Sequence, residues 1–145
     1  CELLIAANPG EELRPMARIA SGGELSRLHL ALRTALRRRR PGGGLTLLFD
    51  EVDSGLGGST AAALAELLAD LAEADQVLVV THLPQVAARG VDHLLISKTV
   101  EDGRATTRVA RLDDIERERE IARMVAGDEL TESARAHARV LLGRT

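Results

Sequence analysis

An apolar run, interrupted only by Thr46, that ends in two adjacent carboxylates is the feature that most constrains this chain. The run extends from Leu45 to Phe49, and Asp50 and Glu51 follow it directly. A short continuous hydrophobic run is typical of a strand that is buried on both faces of a sheet. Ligands of open α/β sheets gather at the carboxyl ends of such strands. The pattern therefore predicts either a site for a metal ion and an attacking water, or a core strand followed by an ordinary polar turn.

A second strand signal has the same form. Residues 76–80 form a mostly apolar run, and the polar residues Thr81 and His82 follow it. A helical pattern from residue 59 or 60 to residue 73 separates the two runs, which predicts an α/β fold with parallel strands and right-handed crossovers. Because the carboxyl ends of parallel strands meet at one edge of a sheet, we expect Glu51 and His82 to lie near each other.

The segment Ser21-Gly22-Gly23-Glu24 predicts the start of another helix. Ser21 followed three residues later by Glu24 is a capping box, and leucines at helical spacing come next, at positions 25, 28, 32 and 36. Two glycines in a first turn cost roughly 1 kcal/mol each against alanine, so they indicate that something approaches the bare backbone closely. A helix N-terminus favours an anion such as phosphate. The alternative is a plain capped helix with flexible glycines.

The remaining patterns predict elements that pack around these strands and helices. We expect a strand at 1–7, a loop at 11–20, a short helix at 84–89 stopped by Gly90, hairpin strands at 93–100 and 105–112, and helices at 113–125 and 131–142. No interior linker is long enough to split the chain, so its 145 residues are expected to form one compact domain.

Composition excludes several classes of protein. No apolar run approaches the length of a membrane span, and no signal-peptide pattern opens the chain. The single cysteine, Cys1, rules out an internal disulfide and suits a reducing cytoplasm. The formal net charge of −3 gives no general attraction to nucleic acid, so any DNA contact requires local basic patches. Because the chain starts with Cys1 and not with Met, we expect it to be part of a longer protein.

One phosphate-binding motif is absent from the sequence. Lys98 is the only lysine, and Ile96 and Ser97 precede it with no glycine nearby upstream. A P-loop requires Gly-x-x-x-x-Gly-Lys followed by Ser or Thr, so the chain contains none. Phe49 is the only residue of the Phe, Tyr and Trp class, which excludes stacking of bases on aromatic platforms within this chain.

Three stretches occur in an order that resembles a known family of ATPases. SGGELSRLHLAL resembles the signature motif of ATP-binding-cassette ATPases, LLFDEVDSGLGG resembles Walker B followed by the D-loop, and THLPQVAARGVDH resembles the switch-histidine region. Glu24, where transporters usually have Gln, is typical of the chromosome-maintenance and break-repair branch. From about Asn8 to the C-terminus, the combination is most similar to the RecN family, SMC-like proteins of bacterial DNA double-strand-break repair.

The resemblance implies a fold and a set of partners. The fold would be the C-terminal half of an ABC/SMC-type P-loop NTPase head, with parallel strands, flanking helices and an antiparallel hairpin. RecN-like heads are assembled from two segments separated by a coiled-coil arm, so the N-terminal Walker A half would lie outside this chain. ATP hydrolysis to ADP and phosphate would need both halves, and this chain alone would be inactive. A cytoplasmic, nucleoid-associated location, DNA as a partner of the full-length protein and no membrane are also implied.

The same resemblance implies a role for each motif residue. Asp50 would hold Mg²⁺ through water, Glu51 would orient or deprotonate the attacking water, and His82 would sense the γ-phosphate. The signature motif would meet the γ-phosphate of ATP held by a second head, so that two heads form a homodimer around nucleotide; its residues are Ser21, Gly22, Gly23 and Glu24. The D-loop would lie at that interface and couple the two sites; its residues are Asp53, Ser54 and Gly55.

Two other functions remain open from the sequence. The first is the nucleotide-binding domain of an ABC transporter, against which Glu24 and the THLPQVA segment argue. The second is a non-catalytic scaffold domain that has lost its P-loop. The adjacent Asp50 and Glu51 argue against a scaffold, because a scaffold does not need two acids at a strand end.

Overall fold

The structure, a computed structural model, describes residues 4–6, 10–15, 22–37, 44–101, 104–127 and 129–144. The chain divides into two compact units. The first unit contains residues 1–56 and 70–81, and the second contains residues 57–69 and 82–145. Parallel and antiparallel strand pairs occur together with helices, which confirms the predicted α/β class.

Two small sheets and a long helix form the first unit. Strands β1 (Leu4–Ile5) and β2 (Arg14–Pro15) pair antiparallel, and helix α1 spans Gly22–Arg37. The prediction of a loop throughout residues 11–20 is wrong at β2, because backbone pairing with β1 makes those two residues a strand. Strand β3 (Thr46–Phe49) leads to helix α2 (Gly58–Ala72) and then to strand β4 (Gln76–Val79), and β3 and β4 pair in parallel as predicted.

Only one face of β3 is buried. Leu47 and Phe49 are 4% and 1% exposed, whereas Leu48 between them is 63% exposed. The prediction of a strand buried on both faces is therefore wrong within this chain. Leu48 lies beside Leu78 of β4 in the parallel register, and Leu78 and Val80 are exposed on the same face. None of the described residues packs over this open apolar face of the β3–β4 pair.

Helix α1 leaves exposed three of the four leucines whose spacing predicts it. Leu25, Leu32 and Leu36 are all exposed, whereas Leu30 is only 3% exposed. The ring of His29 lies 5.3 Å from the ring of Phe49, centroid to centroid. The helix thus contacts β3 through a face that contains few large apolar residues.

The second unit combines most of helix α2 with three further helices and a hairpin. Helix α3 spans Pro84–Arg89, strands β5 (Leu94–Glu101) and β6 (Arg104–Arg111) pair antiparallel, and helices α4 (Asp114–Ala126) and α5 (Glu132–Leu141) follow. The core where the helices meet is built mainly from alanines, which allow close packing; its buried members are Ala88, Ile121, Ala122, Ala134 and Ala138. The predicted hairpin and C-terminal helices are confirmed to within one or two residues.

Local capping explains why these helices were predictable. Asp113 and Glu116 form a reciprocal capping box at the start of α4, and Thr131 accepts a hydrogen bond from the N–H of Ala134 at the start of α5. Gly127 ends α4 with a φ of 78°. No helix in the described part of the chain is long and apolar enough to cross a membrane.

The end of α3 differs from its prediction. Gly90 follows the helix in an extended conformation, with φ −63° and ψ 149°, and not in the left-handed conformation of a typical glycine stop. The guanidinium of Arg117 instead donates to the carbonyls of Ala88 at 2.9 Å and Val91 at 3.1 Å, and also to that of Gly90. A side chain from α4 therefore satisfies the helix end.

Candidate functional site

The acid pair lies in the turn that follows β3. The side chains of Asp50 and Glu51 are both exposed. Glu51 has a φ of 54°, and it is the only residue other than glycine with a positive φ in the part of the chain that the structure describes. Such a left-handed conformation costs a non-glycine residue about 1–3 kcal/mol and persists only where the surrounding contacts enforce it. The backbone that carries Glu51 must therefore be held firmly.

Helix α1 supplies part of that hold through two consecutive side chains. The hydroxyl of Ser26 donates to the carbonyl of Asp50 at 2.6 Å. The guanidinium of Arg27 donates from Nη1 to the carbonyl of Ser54 at 2.9 Å and to that of Val52 at 3.4 Å. The turn is thus held on both sides of Glu51, and both sets of donors come from one helix.

The turn satisfies its two other carbonyls itself. The N–H of Ser54 donates to the carbonyl of Glu51 at 2.9 Å, and the N–H of Leu56 donates to that of Asp53 at 3.0 Å. All five successive carbonyls from residue 50 to residue 54 therefore accept a hydrogen bond, alternately from α1 and from the turn. Since this backbone has few free acceptors, its conformation is strongly specified.

The two glycines of α1 lie directly against the same turn. A Cβ atom built on Gly23 would lie 2.7 Å from the carbonyl oxygen of Glu51 and 2.9 Å from Cβ of Ser54. A Cβ atom built on Gly22 would lie 3.0 Å from Oε2 of Glu51. The close approach predicted at these glycines exists, but at Gly23 the approaching group is the chain's own turn and not an anion. Gly23 is required by packing.

The signature segment is only partly visible. Gly22 is exposed at the start of α1, and Glu24 is half-buried in its first turn. Ser21 lies outside the described residues, so its capping role stays a prediction. The structure brings Gly22 and Gly23 against Glu51 and Ser54, which joins the predicted anion-binding helix start to the predicted acid pair.

The D-loop residues are placed in two different environments. Asp53 is 1% exposed and accepts a hydrogen bond from the hydroxyl of Thr81, which follows β4. Ser54 and Gly55 are exposed, and Gly55 has a φ of 73°. The carboxylate of Asp53 therefore holds the turn from inside, whereas the next two residues are accessible to a partner.

His82 follows Thr81 directly and is exposed. It is the first residue of the second unit after β4, and α3 begins two residues later at Pro84. The expected proximity of the imidazole to Glu51 and its contact with phosphate both stay predictions.

The residues present fit a magnesium ion that is bound partly by substrate. Within residues 44–101 and the other described ranges, no group of three or more His, Cys, Asp and Glu side chains could hold a metal by itself. Mg²⁺ typically keeps several waters and binds one or two carboxylates together with substrate phosphates. The exposed carboxylate of Asp50 can supply one such ligand, directly or through water.

Sequence reasoning missed the residues that hold the turn. Ser26, Arg27 and Thr81 all contact the segment from Asp50 to Ser54 or its side chains. Ser26 and Arg27 come one helical turn after Gly22 and Gly23, so the four residues share a face of α1. This spacing in the sequence could have predicted a second contact face of α1. The leucines, which lie on the opposite face, predicted a different one.

Several curated proteins that are similar to this chain share one name. The chain is 52% identical over 140 residues to the DNA repair protein RecN of Deinococcus radiodurans, 48% identical over 141 residues to that of Halalkalibacterium halodurans, and 45% identical over 141 residues to that of Bacillus subtilis. Each match covers 97% of this chain but only 24–25% of the relative. The chain therefore spans about a quarter of the length of these relatives.

Solved structures agree on the fold. The chain is similar to an SMC ATPase structure described in terms of ATP-driven dimerization and DNA-stimulated activation, with a TM-score of 0.51, 19% identity, and coverage of 87% of this chain and 81% of that one. It is also similar to the Smc head domain with a coiled coil and joint from Pyrococcus yayanosii, with a TM-score of 0.54, 24% identity, and coverage of 81% and 24%. No family model matches the chain. On the identity to its curated relatives, the chain belongs to the RecN family of DNA repair proteins.

Proposed function

We propose that this chain is the C-terminal lobe of an ATPase head that binds and hydrolyses ATP between two heads during recombinational repair of DNA double-strand breaks. The observation that carries the proposal is the contact of Gly22 and Gly23 with the turn of Glu51. A helix start suited to an anion and an acid pair suited to metal and water thereby form one surface. The two functions of the surface would serve two nucleotides, one in each head.

The acid pair, Asp50 and Glu51, would take part in hydrolysis of the nucleotide that is bound by its own head. Asp50 would hold Mg²⁺ through water, and the ion would neutralise charge on the phosphates when bound. Glu51 would orient or deprotonate the attacking water, and His82 would contact the γ-phosphate. The exposure of all three side chains supports these roles, because each group must reach a ligand that the chain itself does not contain.

The signature residues Ser21 to Glu24 would bind the γ-phosphate of the ATP that is held by the opposite head. Gly22 is exposed at the start of α1, where the first N–H groups of a helix have no partner within the helix. Ser54 lies beside this helix start, and the exposed residues Ser54 and Gly55 would lie at the interface between heads. Buried Asp53 would contribute by holding the loop and not by direct contact. Hydrolysis would remove the γ-phosphate that bridges the heads and let them separate.

A further segment of the same protein would supply the Walker A motif and would also cover the open apolar face of the β3–β4 pair. The chain has no P-loop, and Leu48, Leu78 and Val80 present an unpaired apolar face on the β3–β4 pair. The relatives are about four times as long as the matched stretch. We therefore expect this chain alone neither to bind nor to hydrolyse ATP appreciably, and DNA to bind the full-length protein.

The alternatives have less support. A transporter domain is disfavoured, because curated relatives at 45–52% identity are named DNA repair proteins. A non-catalytic scaffold leaves the left-handed backbone of Glu51 without a purpose.

The test is Glu51→Gln in the full-length protein. Removing the carboxylate should leave ATP binding within about twofold and lower turnover by about 100-fold or more, as expected for loss of a catalytic acid or base. Head dimers should accumulate with ATP in analytical ultracentrifugation. Glu129→Gln, an exposed glutamate before α5, is the matched control. Wild-type turnover by the Glu51→Gln variant would remove Glu51 from the mechanism.

A further inference from the structure

We propose that Arg27 is a positioning residue for hydrolysis: its guanidinium fixes the turn that holds Glu51 in its left-handed conformation. The inference rests on the proposed function, because it concerns the step in which Glu51 acts. Arg27 would not touch the nucleotide. It would act on the rate of the chemical step through the backbone of residues 52–54.

Arg27 contacts the backbone that directly follows Glu51 and can therefore constrain the conformation of Glu51. Arg27 donates to the carbonyls of Val52 and Ser54 on the C-terminal side of Glu51, while Ser26 donates to the carbonyl of Asp50 on the N-terminal side. A positive φ at Glu51 would relax toward a commoner conformation if either side were released. Ser26 reaches one carbonyl, whereas Arg27 reaches two, so Arg27 constrains the longer part of the turn.

The packing around Arg27 leaves it little freedom. A Cβ atom on Gly23 would lie 3.2 Å from Nη1 of Arg27, and the same glycine lies against the carbonyl of Glu51. The guanidinium is therefore enclosed between its own helix and the turn, and it is half-buried. A planar guanidinium presents five N–H donors in a fixed fork, whereas a lysine ammonium presents a compact charge on a flexible stem. The two side chains are consequently not equivalent at this position.

The location of Arg27 on α1 adds a second consequence. Arg27 follows Gly23 by four residues, which is about 6 Å along a helix axis. The start of α1 would bind the phosphate of the opposite head. The donors that fix Glu51 thus belong to the same rigid helix. A shift of α1 on nucleotide binding in one site would move the turn that carries Glu51 in the other. Arg27, together with Ser26, would carry this coupling from α1 to the turn.

The test is the steady-state ATPase activity of the full-length protein with Arg27→Met and Arg27→Lys. Misplacement of a reacting group by about 1 Å can cost about 100-fold in rate. We expect Arg27→Met to lower kcat by at least about tenfold while KM for ATP changes by less than about twofold, and Arg27→Lys to recover part of the loss. Dimerisation with a non-hydrolysable ATP analogue should persist in both variants. Arg119→Met, at an exposed position of α4, is the control.

A second experiment distinguishes a role of Arg27 in positioning Glu51 from a role of Arg27 that is independent of Glu51. In the Glu51→Gln background, single-turnover rates should be the same with and without Arg27→Met, because the group that Arg27 positions is already absent. A further loss of equal size in that background would overturn the proposal. So would wild-type kcat for Arg27→Met, or a raised KM at unchanged kcat. If thermal unfolding shows that Arg27→Met does not fold, Arg27→Lys decides by the same split between kcat and KM.

Failure of the proposed function would be visible separately. If the wild-type protein does not hydrolyse ATP, or if Glu51→Gln retains the wild-type rate, the assignment of the site is wrong and the role of Arg27 falls with it. If Glu51→Gln is inactive and Arg27→Met is fully active, only the role of Arg27 is wrong.

Discussion

A Cβ atom on Gly23 would lie 2.7 Å from the carbonyl oxygen of Glu51, which leaves no room for a side chain between helix α1 and the turn after β3. The obstructing atom belongs to the backbone, so it cannot rotate away as the end of a side chain could. The turn is itself fixed by hydrogen bonds at each of its carbonyls from residue 50 to residue 54. The helix start and the acid pair therefore form one packed unit.

Gly23→Ala should destabilise the protein, because the new methyl group forces α1 and the turn apart. Overpacking of this kind costs about 1–3 kcal/mol, measured as the free energy of unfolding in urea. ATP turnover of the full-length protein should fall as well. Gly57→Ala is the matched control, since a Cβ there would meet nothing within 4 Å, and we expect its effect to stay within about 0.5 kcal/mol. Equal effects of the two substitutions would contradict the packing argument.

Thr81→Val should destabilise the protein by removing a donor from a buried carboxylate. Asp53 is 1% exposed and accepts a hydrogen bond from the Thr81 hydroxyl, and loss of a donor to a buried polar group costs about 1–3 kcal/mol. A double-mutant cycle with Asp53→Ala in urea unfolding should show that the two substitutions are not additive. Thr107→Val, on the exposed strand β6, is the control. Additive effects would show that the pair does not interact.

His93 should make the stability of the protein depend on pH in a definite direction. Burial lowers the pKa of His93, Glu120 opposes this effect and Arg117 reinforces it. The unfolded chain therefore takes up a proton at His93 more readily than the folded chain does, so the free energy of unfolding should fall as pH drops below about 6.5. The loss should level off once the pH is below the folded pKa.

The measurement for His93 is urea unfolding between pH 7.5 and pH 5. His93→Gln should remove the part of the pH dependence that comes from this residue, so the difference between wild type and variant should vary with pH. A difference that is constant over this range would mean that the pKa of His93 is not lowered on folding.

Much of the fold follows from local patterns in the sequence. Pro84 starts α3, the reciprocal pair Asp113 and Glu116 starts α4, and Thr131 starts α5. The apolar runs before Asp50 and Thr81 become the parallel pair β3 and β4. In each case the signal and its structural effect lie within a few residues, and hence the residue types alone were sufficient. The family resemblance was carried in the same way by three short motifs.

Only the tertiary structure decided how these motifs work together. The sequence singled out the leucines of α1, yet the face that meets the turn after β3 carries Gly23, Ser26 and Arg27. The left-handed backbone of Glu51 and the donors that hold it depend on contacts between residues 24–27 positions apart. Local propensity cannot specify such contacts, because a polar side chain finds its acceptor only after the helix has docked on the strand. The sequence determined the elements and the chemical groups, and the packing of α1 on the turn determined their geometry.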